Sequence, residues 1–403
     1  IAAQRRQFPR ETRIIRMLKQ PFPRALRLHF GGAVKQGVEA PPFKNKFRSA
    51  LLSDAFDPGN IVAWVPDQRT HVEEQLGRYT ESRLDGRGDR GHTDIPRLQD
   101  GNVAVQVFTT VTKSPAGQNY DHNSADARDN ITLLGIAQLW PVKSWFNLTE
   151  RGLYMAKRMQ RYEEKAPEQV RILRTKGDLD AVLDARANGQ ALTGALIGSE
   201  GGHILEGDLA NLDRIYDAGF RLMGLTHFFD NALGGSLHGE EEHGLTDFGR
   251  EVVRAMLKKH MVIDLAHASP QMAREVIEMT DQPLILSHTG IHSHCEAKRN
   301  FPDELMQQIA ATGGVIGIGY WADVTCDASP DGVARTIKAA VDLVGADHVA
   351  LGSDYDGSVA VEFDSSELAA LTQALMDQGL SEAEIASVMG GNMIRVLRRI
   401  LPD

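Results

Sequence analysis

Six apolar segments in the second half of the chain each end at a residue that can bind a metal or polarise a substrate. A short aliphatic run closed by a polar residue is typical of a buried parallel strand whose carboxyl end opens into a site. One such histidine alone is more often structural, but six segments with the same pattern predict a shared site at one rim of a barrel. The segments are ALIGSEGGH with Glu200 and His203, LMGLTH with His227, MVIDLAH with Asp264 and His267, PLILSH with His288, GVIGIGYW with Tyr320, and HVALGSD with Asp354.

Strand patterns alternate with helical patterns over most of the chain. The strand candidates lie at 61–65, 103–108, 195–199, 222–226, 261–265, 284–287, 315–319 and 348–353, and the helical patterns at 208–218, 246–260, 270–279, 303–311, 330–344 and 365–377. Such alternation predicts a parallel sheet, and eight strands predict closure into a (β/α)8 TIM barrel. A charged helical insertion at 125–190, after the second strand, is expected outside the barrel. A single closing helix is expected from the capping box of Ser381 and Glu384.

The charge distribution separates a short basic segment from an acidic body. The first fifty of the 403 residues hold twelve Lys and Arg but only two acids, although the whole chain has a net charge of −10. We expect an irregular basic extension at 1–59 and one barrel domain at 60–403. A nucleic-acid arm or targeting segment is the alternative for the extension, which lacks an apolar signal core. The acidic body argues against a nucleic-acid partner, and no apolar run reaches the length of a membrane span.

The chain contains two cysteines, Cys295 and Cys326. Two are too few for a disulfide framework, so we expect free thiols in a reducing, cytoplasmic compartment. A single bridge, with a periplasmic or exported location, is the alternative.

Imidazole and carboxylate groups at separate strand ends suit a zinc-class metal ion. Glu200, His267 and His288 supply two histidines and one carboxylate, which make a site with an open coordination position. Such a site can lower the pKa of a bound water to near neutrality. His227 could donate to a developing oxyanion, and Asp354 could move protons, although an aspartate at a strand end is often a helix cap.

Other motifs lack the spacing that their chemistry needs. The segment HGEEEH at 238–243 places its histidines five residues apart, so they do not share a helix face, and we interpret it as a solvated loop. The chain has neither a GxxxxGK[ST] phosphate loop nor a G-x-S-x-G elbow around Ser287. His203 is out of phase with Glu200 and is expected to be structural.

From about residue 90 onward, the sequence resembles the renal or membrane dipeptidase family. The motifs that carry the resemblance are HTDIPRL (92–98), GSEGGHILE (198–206), GLTHFFDN (224–231), GLTDFGREVV (244–253), MVIDLAHAS (261–269), ILSHTG (285–290), KRNFPDE (298–304) and LGSDYDG (351–357). The resemblance implies a metal-dependent barrel hydrolase, usually with two zinc ions. It also implies that Glu200 bridges the ions, that His267 and His288 bind one of them, and that Arg299 holds a substrate carboxylate. By the same resemblance, His227 polarises the scissile carbonyl and Asp354 handles protons.

One family motif is absent from its expected place. The family carries a His-x-Asp pair at the end of the first strand, which with the bridging glutamate holds the other metal, and this sequence has no such triplet at the end of the strand candidate 61–65. The nearest candidates are His71 and Glu73, six residues or more beyond the first strand; a solvated helix start is the alternative interpretation.

These features predict a zinc dipeptidase that cleaves the peptide bond of dipeptides through a metal-activated hydroxide, and that we expect to form a homodimer. Tyr320 or Trp321 could line the substrate pocket, although core packing is the more common role for such residues. Two other hypotheses remain. One is a barrel hydrolase of another amide, lactam or N-acyl amino acid; the other is a catalytically impaired scaffold with a degenerate metal site.

Overall fold

The apolar runs predicted as strands form one parallel sheet in the computed structural model, which describes residues 61–66, 84, 86–88 and 91–403. The strands are β1 (Ile61–Pro66), β2 (Val103–Thr110), β3 (Val170–Ile172), β4 (Thr193–Ser199), β5 (Phe220–Gly224), β6 (Val262–Asp264), β7 (Ile285–Thr289), β8 (Val315–Ile318) and β9 (Val349–Leu351). Their order is β1-β2-β4-β5-β6-β7-β8-β9, with β3 paired to β4 outside this path. Cα atoms of β1 and β9 come within 8 Å of each other, as in a barrel that curls round on itself. The predicted (β/α)8 barrel is therefore confirmed, whereas the extension at 1–59, His71 and Glu73 lie outside the described residues.

Helices connect the strands as the alternation predicts. They are α1 (Ile95–Asp100), α2 (Asn130–Ala137), α3 (Leu148–Lys165), α4 (Lys176–Ala187), α5 (Ala210–Asp217), α6 (Asp247–Lys258), α7 (Pro270–Glu278), α8 (Asp303–Ala311), α9 (Ala322–Thr325), α10 (Pro330–Val344), α11 (Leu368–Asp377), α12 (Glu382–Ala386) and α13 (Asn392–Ile400). Their starts follow capping rules: Ser269 accepts a hydrogen bond from the Met272 amide, and Pro270 occupies the first helical position. No helix in the described part of the chain is long and apolar enough to cross a membrane.

Two local features of the fold differ from the sequence prediction. The insertion at 125–190 contains α2, α3 and α4 as expected, but also the short strand β3, whose central residue is an exposed arginine. The capping box of Ser381 and Glu384 is present, yet the closing helix is interrupted by a π-helical turn at Ser387–Gly391. A three-residue strand and a break at two adjacent glycines both leave too weak a periodic signal to be predicted.

Alternate residues of the strands divide between two apolar clusters. One cluster joins side chains from seven strands with side chains of α4 and α13; its strand members are Val105, Val107, Leu196, Leu222, Val262, Ile285, Val315 and Ala350. Their sequence neighbours, such as Ile197, Met223 and Ile263, belong to the other cluster, which contains most of the remaining helices. Because both faces of each strand are buried, the strands have continuous apolar runs. Glu200 is in phase with Leu196, so its side chain lies on the same face of the sheet as Leu196, just beyond the carboxyl end of β4.

Glycines allow β7, β8 and β9 to approach closely below the site. A Cβ atom on Gly317 would lie 2.1 Å from the carbonyl oxygen of Ser287, and one on Gly352 would lie 2.4 Å from the same oxygen. Both distances are far inside van der Waals contact, and the obstacle is backbone, which cannot swing aside. These two glycines are therefore required for the strand packing that supports the site.

The two cysteines are bonded to each other, so the expectation of free thiols was wrong. Cys295 and Cys326 form a disulfide with a Cα–Cα distance of 5.7 Å across a sequence separation of 31 residues. The bridge joins the segment after β7 to the end of α9. Adjacent parallel strands bring these two connections together, and a count of cysteines cannot reveal that proximity.

We predict that Gly317→Ala lowers the free energy of unfolding by roughly 1–3 kcal/mol, because the added methyl group must push β7 and β8 apart. Urea unfolding in the presence of a chelator measures the change without a contribution from metal binding. Gly177→Ala is the matched control, since its Cβ would meet only the Thr175 hydroxyl, at 3.5 Å, in the first turn of α4. The control should be neutral or stabilise by up to about 1 kcal/mol. Equal midpoints for Gly317→Ala and the wild type would contradict the packing argument.

Candidate metal centre

Three buried side chains converge at the carboxyl ends of the strands. The Nε2 atom of His267 lies 3.0 Å from Oε1 of Glu200 and 3.1 Å from Nε2 of His288. Nε2 of His288 lies 3.2 Å from the same carboxylate oxygen. The structure thus brings the three predicted ligands together, and within its described residues they form the one cluster with metal-binding geometry.

The backbone positions each of the three predicted ligands in a different way. Glu200 directly follows β4, and His288 lies inside β7 at a shift of strand register between Leu286 and Thr289. That irregularity lets the adjacent Ser287 and His288 both serve the site. His267 has a left-handed backbone with φ of 64°, which is uncommon for a residue with a side chain and is found at functional sites.

The hydrogen bonds of His288 indicate which of its ring nitrogens carries the hydrogen. Ser287 donates its hydroxyl hydrogen to Oδ2 of Asp264 at 2.6 Å, so its oxygen accepts from Nδ1–H of His288 at 2.7 Å. This places the hydrogen of His288 on Nδ1, so that Nε2 offers a lone pair to a metal ion. Nε2 of His267 lies 3.0 Å from Oε1 of Glu200 and 3.4 Å from Nη2 of Arg299, whereas its Nδ1 has no hydrogen-bond partner among the described residues.

Burial holds the two histidines neutral. Loss of hydration lowers the pKa of His267 and of His288 well below its usual value, and the nearby positive charge of Arg299 lowers both further. Burial also raises the pKa of Glu200, although His227 and Arg299 oppose that shift. Neutral imidazoles are the form that binds metals, so the site needs no deprotonation of histidine to accept an ion.

The donor set fits a zinc-class ion. In the unprotonated state that binds metals, two imidazole nitrogens and a carboxylate oxygen would repel each other at these distances unless a cation lay between them. Tetrahedral ligands about 2.0–2.1 Å from zinc would lie roughly 3.3–3.4 Å apart. The observed separations of 3.0, 3.1 and 3.2 Å are close to that spacing. Three protein ligands also leave a coordination position open for water or substrate.

A cavity of about 280 Å³ opens above the three ligands. Among the predicted residues, Glu200, His227, His267, Arg299 and Asp354 line it. The remaining lining residues are Ser114, Gln118, Asn119, Tyr120, Phe228, Trp321, Asp323, Gly357, Ser358 and Val359.

Three of these predicted residues, His227, Arg299 and Asp354, differ in charge and in hydrogen bonding. Nε2 of His227 is 3.7 Å from Oε1 of Glu200, and burial lowers the pKa of His227 to about 3, so the ring is neutral. Arg299 is 2% exposed; its Nη2 donates to the carbonyl of His288 at 2.7 Å, whereas Nη1 has no hydrogen-bond partner. Burial and the charge of Glu200 raise the pKa of Asp354 well above its ordinary value.

The sequence of the chain matches the family model described as membrane dipeptidase, peptidase family M19, over residues 67–401. The chain belongs to this family. Dipeptidase 3 from Mus musculus is 31% identical over 324 residues, which cover 77% of this chain and 58% of that protein. The chain therefore spans less than two thirds of the length of this curated relative.

Solved metallopeptidase structures, one of them assigned to family M19, share the fold. A metallopeptidase named dipeptidase AC superposes with a TM-score of 0.68 at 21% identity, covering 86% of this chain and 100% of that one. A metallopeptidase from Rhodobacter sphaeroides, liganded with a phosphinate mimic of the dipeptide L-Ala-D-Ala, gives 0.67 at 21% identity and covers 85% and 100%. At this identity the likeness shows the barrel architecture, which agrees with the strand order above.

Tyr320 does not line the cavity, so its position does not agree with the predicted contact with substrate. The side chain is fully buried, packs against Tyr355 and Phe363, and has a hydroxyl without a hydrogen-bond partner. The next residue, Trp321, lines the cavity instead. β8 ends at Ile318, so strand alternation no longer decides which of these two side chains faces the site.

The segment at 238–243 is not a fully solvated loop, so that interpretation was wrong at its first residue. His238 is 0% exposed and stacks on Phe228, with ring centroids 4.8 Å apart. Glu240 and Glu241 are exposed as expected. His203 is also buried, stacks near Phe229 and lies outside the cavity lining, in line with the structural role expected for it.

Sequence reasoning missed the loop after β2, which supplies Ser114, Gln118, Asn119 and Tyr120 to the cavity. The loop carries no periodic pattern and no metal-ligand spacing. Its one usable signal was its location directly after a strand, where barrel enzymes carry their site loops.

We predict that His267→Ala and His288→Ala each lose metal at this site, since two of three ligands cannot hold the ion. Ser287→Ala should weaken metal binding by about 10- to 100-fold, because it removes the hydrogen bond that orients His288. Elemental analysis after dialysis and zinc titration of metal-free protein measure both effects. His348→Ala is the control, since its ring bonds to the carbonyl of Gly314, away from the cavity. Full metal occupancy in both ligand variants would contradict the assignment.

Proposed function

We propose that the chain is a metal-dependent dipeptidase that hydrolyses the peptide bond of dipeptides. The observation that carries the proposal is a cavity lined by Glu200 and His267 of the metal-binding cluster and by the buried guanidinium of Arg299, whose Nη1 has no hydrogen-bond partner. A bound divalent cation would supply Lewis acidity and would lower the pKa of a water at the open position. A guanidinium with a free N–H suits a carboxylate, the group that every dipeptide carries at one end.

Three side chains of the cavity would carry the remaining steps. His227, held neutral by burial, can donate a hydrogen bond to the carbonyl oxygen as negative charge develops there. Asp354 has a raised pKa, so it is a stronger base than an ordinary carboxylate and can carry a proton from the attacking water to the departing amine. Arg299 would orient the substrate through its carboxylate.

A decisive comparison uses free and C-terminally amidated dipeptides with the metal-loaded protein. We expect hydrolysis of the free forms, poor hydrolysis of the amides, and an increase in KM of about 10- to 100-fold for Arg299→Ala. Arg299→Lys should recover only part of this loss, because lysine keeps the charge without the planar fork. Asp354→Asn should lower kcat by about 10²- to 10⁴-fold with metal retained.

Contrary outcomes of that comparison are specific. Equal rates for free and amidated dipeptides would refute the carboxylate role of Arg299. Turnover of a lactam, another amide or an N-acyl amino acid, but of no dipeptide, would favour the second hypothesis. Metal binding without turnover of any of these would favour an impaired scaffold.

We further propose that the metal is zinc and that two ions bind, with Glu200 between them. The rings of His267, His288 and His227 all approach Oε1 of Glu200, at 3.0, 3.2 and 3.7 Å, so we assign Oε2 to a second ion. His71 and Glu73 are our candidates for the other ligands of that ion, since they follow the first strand in the sequence.

Titration of zinc into metal-free protein tests the second site. We expect activity to rise until two equivalents are bound, and His71→Ala to bind one equivalent and lose most of the activity, because one cation activates water less than two. The His348→Ala control should titrate like the wild type. A single-step curve that saturates at one equivalent and is insensitive to His71→Ala would mean that the second ion does not bind.

We also propose an exported or periplasmic location in place of the cytoplasm, because disulfides such as Cys295–Cys326 persist mainly in oxidising compartments. The homodimer stays a proposal. It is supported by the exposed apolar side chains of Leu139, Val142 and Phe146, which a second copy could cover.

A further inference from the structure

Tyr120 presents a hydroxyl hydrogen to the cavity that no protein group accepts. The indole Nε1 of Trp321 lies 3.1 Å from the Tyr120 oxygen, and an indole N–H can only donate. The Tyr120 oxygen is therefore the acceptor of that bond, and its own hydrogen must point elsewhere. Among the described residues no acceptor lies within hydrogen-bond distance of it, although Tyr120 and Trp321 both line the cavity.

The hydroxyl keeps its hydrogen at any physiological pH. Burial raises the pKa of Tyr120 to about 12, with only partial opposition from the Trp321 hydrogen bond and the charge of Arg299. Tyr120 is thus a neutral donor close enough to Arg299 to feel its charge.

Contacts on both sides hold the residue in place. Nδ1 of His238 lies 2.9 Å from the backbone oxygen of Tyr120, and Nζ of Lys298 donates to the backbone oxygen of Asp121 at 2.7 Å. The Tyr120 ring packs against Phe228 and His238, with centroid distances of 5.8 and 5.6 Å. A donor fixed before the ligand arrives loses little conformational entropy on binding.

Two residues that line one cavity thus each carry a donor without an acceptor: Tyr120 through its hydroxyl and Arg299 through Nη1. A carboxylate has two oxygens that only accept, so one group can satisfy both donors. An ammonium group could satisfy neither, and a neutral amide would leave the guanidinium charge without a partner.

We propose that Tyr120 is a substrate-binding residue that donates its hydroxyl hydrogen to the same carboxylate that Arg299 binds. The inference rests on the proposed dipeptidase function and adds a second, uncharged donor from the loop after β2. Arg299 supplies the charge, and Tyr120 selects the position of the carboxylate on the cavity wall near Trp321.

The test is Tyr120→Phe, which removes one oxygen and keeps the ring packing. We expect KM for free dipeptides to rise about 10-fold, with kcat within 2-fold of the wild type, because the lost bond serves substrate and transition state alike. Affinity for a phosphinate dipeptide mimic, measured by calorimetry, should fall by a similar factor. Slow hydrolysis of amidated dipeptides should not change. Tyr216→Phe, the same substitution in α5 away from the cavity, is the control and should match the wild type throughout.

The outcomes separate the two levels of inference. If the wild type hydrolyses dipeptides and binds the mimic, but Tyr120→Phe does so equally well, the role of Tyr120 is overturned and the dipeptidase function stands. A fall in kcat at constant KM would overturn the carboxylate contact in favour of a role in the reaction step. If the wild type neither hydrolyses dipeptides nor binds the mimic, the proposed function fails, and the Tyr120 assignment fails with it.

Discussion

Two imidazole nitrogens and one carboxylate oxygen, all rich in electrons, are held about 3 Å apart in the interior of this protein. Their mutual repulsion is strongest where water is excluded, so the arrangement requires a rigid framework and a positive charge. The barrel supplies the framework, because each ligand is fixed by a different strand end. The hydrogen bonds from Asp264 through Ser287 to His288 add the orientation that the backbone alone does not give.

Arg299 supplies positive charge at the edge of this cluster. Its Nη2 atom donates to the carbonyl of His288 and lies 3.4 Å from Nε2 of His267. Burial lowers the pKa of both histidines, and the adjacent guanidinium lowers it further, which keeps protons away from the nitrogens that a metal would need. The same residue lines the cavity, and its Nη1 has no hydrogen-bond partner. Its charge therefore lowers the pKa of the two histidines and would also attract an anionic group in the cavity. A substitution of Arg299 would change both effects together.

Much of the fold and the metal cluster could be predicted from the sequence because they depend on local periodicity. Eight apolar runs gave the strands of the barrel, and Glu200, His267 and His288 each follow or end such a run. The cavity wall could not be predicted in the same way. Tyr120 and His238 are 118 residues apart in sequence and meet through a hydrogen bond between the His238 ring and the Tyr120 carbonyl, which leaves no periodic signal. The choice between Tyr320 and Trp321 depended on the backbone just beyond β8, where alternation ends.

The cavity wall is nevertheless a continuous set of contacts, distinct from the floor. The Cys295–Cys326 disulfide ties the segment that precedes Arg299 to the end of α9, which follows Trp321. Trp321 donates to Tyr120, whose loop is held in turn by His238 and Lys298. All of these wall contacts are made by residues outside the strands. Loops of a barrel can therefore change which ligand the wall accepts while the strands keep the metal ligands in register. Under the proposed function, substrate choice in this chain would belong to the loops and metal binding to the strand ends, with Arg299 in contact with both.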